Sequence, residues 1–191
     1  MNGLRWVFYL ALPLLGLAAS TAAEESKNGG VQMEFPDIKG FTRSQPNHLP
    51  NPKHGYVISY KSDQDLRINV YVYNSGLERI PDGATSDVVK EEITLIEEGL
   101  KELKWQGAYK SYKEWARGER RVGDWPTAPT AQRRLFEIER VDVGRILTDV
   151  YITGYKNHFV KIRFSYPIDK QVESEKAVPP VLTALGKMMA S

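Results

Sequence analysis

Between residues 89 and 103 the apolar side chains recur as Val89, Ile93, Ile96, Leu100 and Leu103, at spacings of four, three, four and three. That rhythm lays one continuous stripe along a single side of an α-helix. Thr85, Ser86 or Asp87 can cap the helix after the break at Pro81-Asp82-Gly83. Fully buried, the five side chains carry on the order of 8 to 15 kcal/mol of transfer free energy before entropy is charged. A helix with one such stripe has to lie on something apolar, and the flanking segments supply a sheet.

Tyr56 to Lys61 (YVISYK) and Leu66 to Asn74 (LRINVYVYN) are rich in β-branched and aromatic residues. The turn-forming tetrad 62–65 separates them, so they read as a β-hairpin. Beyond the helix, Gly107 to Arg121 predicts an exposed or edge strand with Gly118 as a bulge, and 123–130 a loop. Three strands follow, Gln132 to Val141, Arg145 to Thr153 and His158 to Tyr166, joined by turns at 142–144 and 154–157. A last helical region begins near Asp169 and is interrupted at Pro179-Pro180, with Val181, Leu182, Leu185, Met188 and Met189 as its apolar face. Ser44 to His54 carries three prolines and reads as irregular loop. Strands joined by short links are antiparallel, and striped helices cover sheet faces. The expected fold is therefore α+β: an antiparallel sheet of about six strands flanked by two main helices, an α/β sandwich spanning 35–191.

The first 23 residues have another character. Arg5, an apolar run from Trp6 to Leu17, and the small residues 18–23 are the three parts of a secretory signal peptide, with cleavage expected between Ala23 and Glu24. The apolar run, broken by Pro13, is shorter than the roughly 20 residues a membrane span needs, so no stable span is expected after cleavage. Residues 24–34 read as a flexible, polar lead-in. Removing 23 of 191 residues leaves 168, a length that suits one domain. Lys and Arg number 26 against 24 Asp and Glu, and losing Arg5 leaves an excess of one. That balance makes nucleic acid an improbable partner, since polyanion binders carry a marked basic excess. The chain has no cysteine. Disulfides, thiol nucleophiles, cysteine zinc sites and lipidation at the cleavage site are all excluded, and a periplasmic or secreted protein of the bacterial envelope is the compartment that fits.

No nucleophile elbow, phosphate loop or dinucleotide fingerprint is present, and no cofactor is implied. His48 and His54 lie in the Pro-rich loop, where Asp37, Asp63 or Asp65 would have to join them to hold a metal; they are weak candidates, and no metal site is assigned. Glu137 and Glu139 share one side of a strand, which by itself suits a solvated face.

Two surfaces carry the binding expectations. Strand alternation places Tyr71, Tyr73, Asp149, Tyr151, Lys161 and Arg163 on one sheet face, opposite Val160, Ile162 and Phe164 with Ile146, Val150 and Ile152 beside them. A register slip of one residue would exchange the faces. The second surface interleaves Tyr109, Tyr112, Trp115 and Trp125 with Lys110, Lys113, Arg117, Arg120, Arg121, Arg133 and Arg134. Aromatics beside arginines serve stacking, anion recognition and protein interfaces.

The order strand pair, helix, four strands, helix, with the run GYVISYKSDQDLRINVYVYN leading into the helix, resembles the PsbP-like fold of extrinsic photosystem II proteins and their bacterial relatives. The resemblance covers most of residues 35 to 190. It implies an assembly or accessory role and brings no catalytic motif. The leading expectation is thus a non-enzymatic accessory or binding protein that meets a protein partner or an anionic envelope component through the Tyr109 to Arg134 region. Two alternatives stand beside it: a metal-dependent or other hydrolase acting on envelope material through His48 and His54, and a small-ligand carrier using the tyrosine-rich sheet face.

Overall fold

The computed structural model describes residues 33–190 except Gln64. The export segment, its Ala23/Glu24 cleavage point and the lead-in up to residue 32 lie outside the described residues. Met33, the penultimate residue of the expected lead-in, packs against the core.

The elements run β1 (Thr42–Arg43), β2 (Asn47–His48), β3 (Tyr56–Lys61), β4 (Arg67–Tyr73), α1 (Asp87–Trp105), β5 (Tyr109–Arg121), β6 (Thr130–Arg140), β7 (Gly144–Tyr155), β8 (His158–Pro167) and α2 (Gln171–Ala190). Every strand pairing is antiparallel, in the order β1-β3-β4-β8-β7-β6-β5 with β2 also on β3. The sheet therefore has eight strands where about six are expected. The two extra strands come from in and around the Pro-rich stretch read as loop: two-residue segments bridge to β3 between the prolines, which is all that prolines without N–H groups allow.

Ser86 caps α1 by accepting from the Val89 N–H, and the striped face of the helix is buried. α1 links β4 to β5 by crossing one sheet face, packing on β5, β6 and β7. Its core contains Tyr71, Tyr73, Phe136, Ile138, Val150, Ile152 and Phe159. α2 covers the other face over Val70, Val160, Ile162, Phe164, Leu147 and Tyr151. With both faces covered, β7 is buried without a break from Ile146 to Gly154, a central strand in a three-layer packing.

α2 is not interrupted at Pro179-Pro180; it runs through them. Two prolines remove the N–H groups that would meet the Glu175 and Lys176 carbonyls. All four residues lie on the exposed side of the helix, where the freed carbonyls are open to solvent. The buried side, Val178, Val181, Leu182, Leu185 and Met189, holds the helix on the sheet.

β5 is the edge strand the sequence predicts, but its irregularities fall between Tyr109 and Ser111 and between Glu114 and Ala116. Gly118 is not a bulge; it pairs with Arg133. The slip at Trp115 turns that indole outward, 42% exposed. No helix among the described residues is long and apolar enough to cross a membrane.

Candidate functional site

The turn between β7 and β8 sorts the predicted site residues. Tyr155 pairs with His158 across Lys156 and Asn157, both at positive φ (46° and 62°), a two-residue turn of the twisted kind that hairpins favour. A two-residue loop pairs odd positions with even ones. Tyr151 therefore faces Ile162 and Asp149 faces Phe164, whereas Lys161 faces Ile152 and Arg163 faces Val150. The sequence grouping is corrected accordingly: Tyr71, Tyr73, Lys161 and Arg163 share the α1 face with Ile146, Val150 and Ile152, while Asp149 and Tyr151 lie on the α2 face with Val160, Ile162 and Phe164.

The α1-side residues do not form an open platform. Tyr71, Tyr73 and Arg163 are buried. The Lys161 ammonium lies 4.7 Å from the Tyr71 ring centre and 5.2 Å from that of Tyr73. Tyr73 donates its hydroxyl to the buried Glu92 carboxylate of α1 at 2.6 Å. Burial lowers Lys161 to about 8, an ammonium stripped of most of its water. This is a polar cluster between the sheet and α1, with Lys161 half-buried, and not the open tyrosine-lined face that a carrier would need.

The basic-aromatic strip also divides. Arg134 is buried towards α1 and pairs with Glu97 at 3.2 Å and Glu114 at 3.3 Å. Tyr112 packs edge-on against Phe136 on the same side. Arg117 pairs with Glu114. Trp125 packs against α2 at Gly186, where a Cβ would run into the Val122 carbonyl oxygen and crowd the indole. None of these four residues lines the cleft, and Arg117 remains exposed.

Of the rest of the strip, Arg120, Arg121 and Arg133 meet in one place, while Tyr109, Lys110, Lys113 and the exposed Trp115 lie outside it. A cleft of about 310 Å³ opens between the first half of α2 and the β5-β6-β7-β8 part of the sheet. Arg120, Arg121 and Asp124 stand at its rim, and Glu175, Val178, Pro179, Leu182 and Thr183 of α2 form a wall. Arg133, Asp149, Tyr151 and Tyr166 line the sheet side. There Arg133 donates Nε to Asp149 Oδ1 at 2.8 Å and an Nη to Oδ2 at 2.9 Å. Tyr151 donates its hydroxyl to the same Oδ2 at 3.0 Å, and the Arg133 guanidinium lies 5.7 Å from the Tyr151 ring centre. Asp149 is nearly sealed, its side chain 4% exposed against 21% for Arg133. Its hydrogen bonds hold the guanidinium firmly charged. Burial pushes the Tyr151 and Tyr166 hydroxyls up, so both remain protonated donors at neutral pH.

Sequence reasoning thus found Arg120, Arg121, Arg133, Asp149 and Tyr151, but on two separate surfaces. It missed Tyr166, Asp124 and the α2 wall. Val178 and Leu182 read as ordinary helix core, and nothing local says that the sheet floor retreats from them.

Neither histidine candidate gathers further ligands: among the described residues no three His, Asp or Glu side chains stand as a metal site requires. His48 stacks on Tyr56 at 5.5 Å. His54 is lowered to about 4 by burial and by Lys161 nearby. Glu137 and Glu139 pair with Arg145 and Lys110.

Fold and site define a class: an α+β protein with one antiparallel sheet covered on both faces and a polar-floored cleft beside one covering helix. No protein-family model and no curated protein matches the chain. Among solved structures the chain is similar to cyanobacterial PsbP (CyanoP) from Synechocystis sp. PCC 6803, at 10% identity and a TM-score of 0.49, over 89% of this chain and 95% of that one. PsbP-like is also the plan that the order of elements resembles. No residue role, partner or compartment passes from that structure to this chain.

Proposed function

We propose that the chain is a non-enzymatic accessory protein, exported from the cytoplasm, that binds its partner at the α2 cleft through Arg120 and Arg121. One observation carries the reading: the cleft unites exposed cations and an apolar wall over a polar floor whose one carboxylate is already spent. Asp149 accepts from Arg133 twice and from Tyr151, which takes three of its roughly four lone-pair positions and ties the carboxylate to the guanidinium. Such a floor is suited to orienting a guest, although burial also pushes the Asp149 carboxyl up. The volume lies at the lower end of the roughly 300 to 1,000 Å³ usual for small-molecule sites, which fits part of a larger partner. Export rests on the signal-peptide reading of residues 1–23.

Site-specific photo-crosslinking in the native host tests it. A photoreactive residue at Arg121 gives a defined adduct that is absent when the probe replaces Leu77, which is exposed and does not line the cleft. Arg120→Ala/Arg121→Ala lowers the yield of an adduct formed from Thr183 by about tenfold, the loss expected for two charge-assisted contacts of modest strength. Equal adducts from positions 121 and 77 would sink the reading. Release of the processed protein by osmotic shock tests the compartment.

A further inference from the structure

The guanidinium of Arg133 has five N–H donors in a flat fork. Asp149 takes one edge of it, the Nε with one Nη. The opposite edge meets no acceptor among the described residues. Arg133 retains partial exposure on the cleft side, so that edge opens on the cleft. Locked by Asp149 and laid over the Tyr151 ring, it is a preorganised fork that loses little entropy on meeting an anion.

Tyr166 supplies an independent sign. The residue is 2% exposed and packs in the α2-side core, yet its side chain lines the cleft, and its hydroxyl has no hydrogen-bond partner among the described residues. The ring is buried while the hydroxyl tip reaches the cleft, the amphipathic placement usual for a tyrosine. Here the hydroxyl remains a donor directed at whatever fills the cleft.

The other lining groups narrow the guest. Asp124, Asp149 and Glu175 balance Arg120, Arg121 and Arg133. A single negative charge on the Arg133 edge is favoured there, whereas a phosphate dianion would stand beside the Asp149 and Glu175 carboxylates. Val178, Pro179 and Leu182 offer aliphatic surface next to that edge. We infer that the cleft takes a carboxylate carried on an apolar body, with the carboxylate on the free edge of Arg133 and the Tyr166 hydroxyl, and the apolar body along Val178, Pro179 and Leu182. This deepens the reading of the cleft as a binding site and rests on it. The same chemistry belongs to a free amphipathic acid and to the C-terminus of a partner polypeptide.

Calorimetric titration of the purified protein tests the inference. The probes are N-acetyl-leucine, N-acetyl-leucinamide, and a pentapeptide ending in leucine with a free or an amidated C-terminus. The free acids bind at least about tenfold more tightly than their amides, the usual value of a charge-assisted fork. Tyr166→Phe, which keeps the ring and the packing, weakens the acids by about three- to tenfold and leaves the amides unchanged. A pentapeptide tighter than N-acetyl-leucine identifies a polypeptide C-terminus as the source; equal affinities identify a free acid. Acids and amides that bind alike, or acids that fail to bind at millimolar concentration, overturn the inference. If carboxylates fail while the Arg121 adduct persists, this inference falls and the accessory reading stands. If the acids bind while no Arg121 adduct forms, the carboxylate site stands and the accessory reading falls.

Discussion

Asp149 governs the cleft floor at the scale of single residues. It turns the Arg133 guanidinium, fixes the Tyr151 hydroxyl, and is almost without solvent of its own. Removing it leaves a half-buried guanidinium uncompensated, so Asp149→Ala lowers stability by about 3 kcal/mol in urea unfolding. Asp149→Asn, which still accepts through its amide oxygen, loses less. Gly186 is a second such point. α2 approaches Val122 and Trp125 so closely there that no side chain fits, and Gly186→Ala costs about 1 to 3 kcal/mol, measured as a lowered unfolding midpoint. Neither role is visible locally. Asp149 reads as one polar residue in a strand, and Gly186 reads as a weak point in a helix.

Among the elements, α2 shows how position decides what a helix breaker does. Pro180 lies on the exposed side, and the Lys176 carbonyl it leaves without a donor faces water. Pro180→Ala restores the backbone hydrogen bond but also loosens the unfolded chain. The expected net gain is about 1 to 2 kcal/mol, read as a higher urea midpoint. An unchanged midpoint would show that the native helix already compensates for the missing donor. The β7-β8 hairpin teaches a related lesson. Its strands are legible from composition, and their ends agree with the structure to within about two residues. Their relative phase follows from the pairing across the turn and not from alternation within either strand. Lys156 and Asn157 both adopt positive φ, a conformation that asparagine tolerates and lysine rarely advertises. The four-residue turn expected at 154–157 and the two-residue turn observed both set Tyr151 opposite even-numbered β8 positions, so grouping it with Lys161 ignored the phase of the hairpin.

Across the molecule, two cores share one sheet, and the α1-side core contains cations that the fold has stripped of water. Lys161 falls from its ordinary 10.5 to about 8 on folding, so between these values the unfolded chain holds more protons than the folded one. This lysine by itself therefore adds stability as pH is raised from about 8 to 10.5, against the loss from buried tyrosines such as Tyr151 and Tyr166, and Lys161→Met removes the lysine's part. His54 works in the same sense at lower pH. Its ordinary 6.5 falls to about 4, so stability is fully present above 6.5 and declines as acid carries the pH down towards 4. His54→Gln removes that part of the acid sensitivity. Thermal melts at stepped pH check both; a Lys161→Met variant whose midpoint follows the same course as wild type between pH 8 and 10 contradicts the first.

The residue order alone determined the helix stripe, the β-rich runs, the edge character of β5 and the absence of any thiol chemistry. These are properties of neighbours within one or two turns, and a local period records them. Whether a sheet face meets solvent or a helix is a different kind of fact. It depends on α1 crossing from β4 to β5 and on α2 returning over β8, contacts between segments far apart in the chain. The tertiary structure alone decided that Tyr71, Tyr73 and Arg163 are interior, and that Arg134 belongs to α1. It alone brought Arg133, Asp149, Tyr151 and Tyr166 under the wall formed by Val178 and Leu182. Burial, ion pairing and the walls of a cleft are set by what packs against a residue, and that partner lies elsewhere in the sequence.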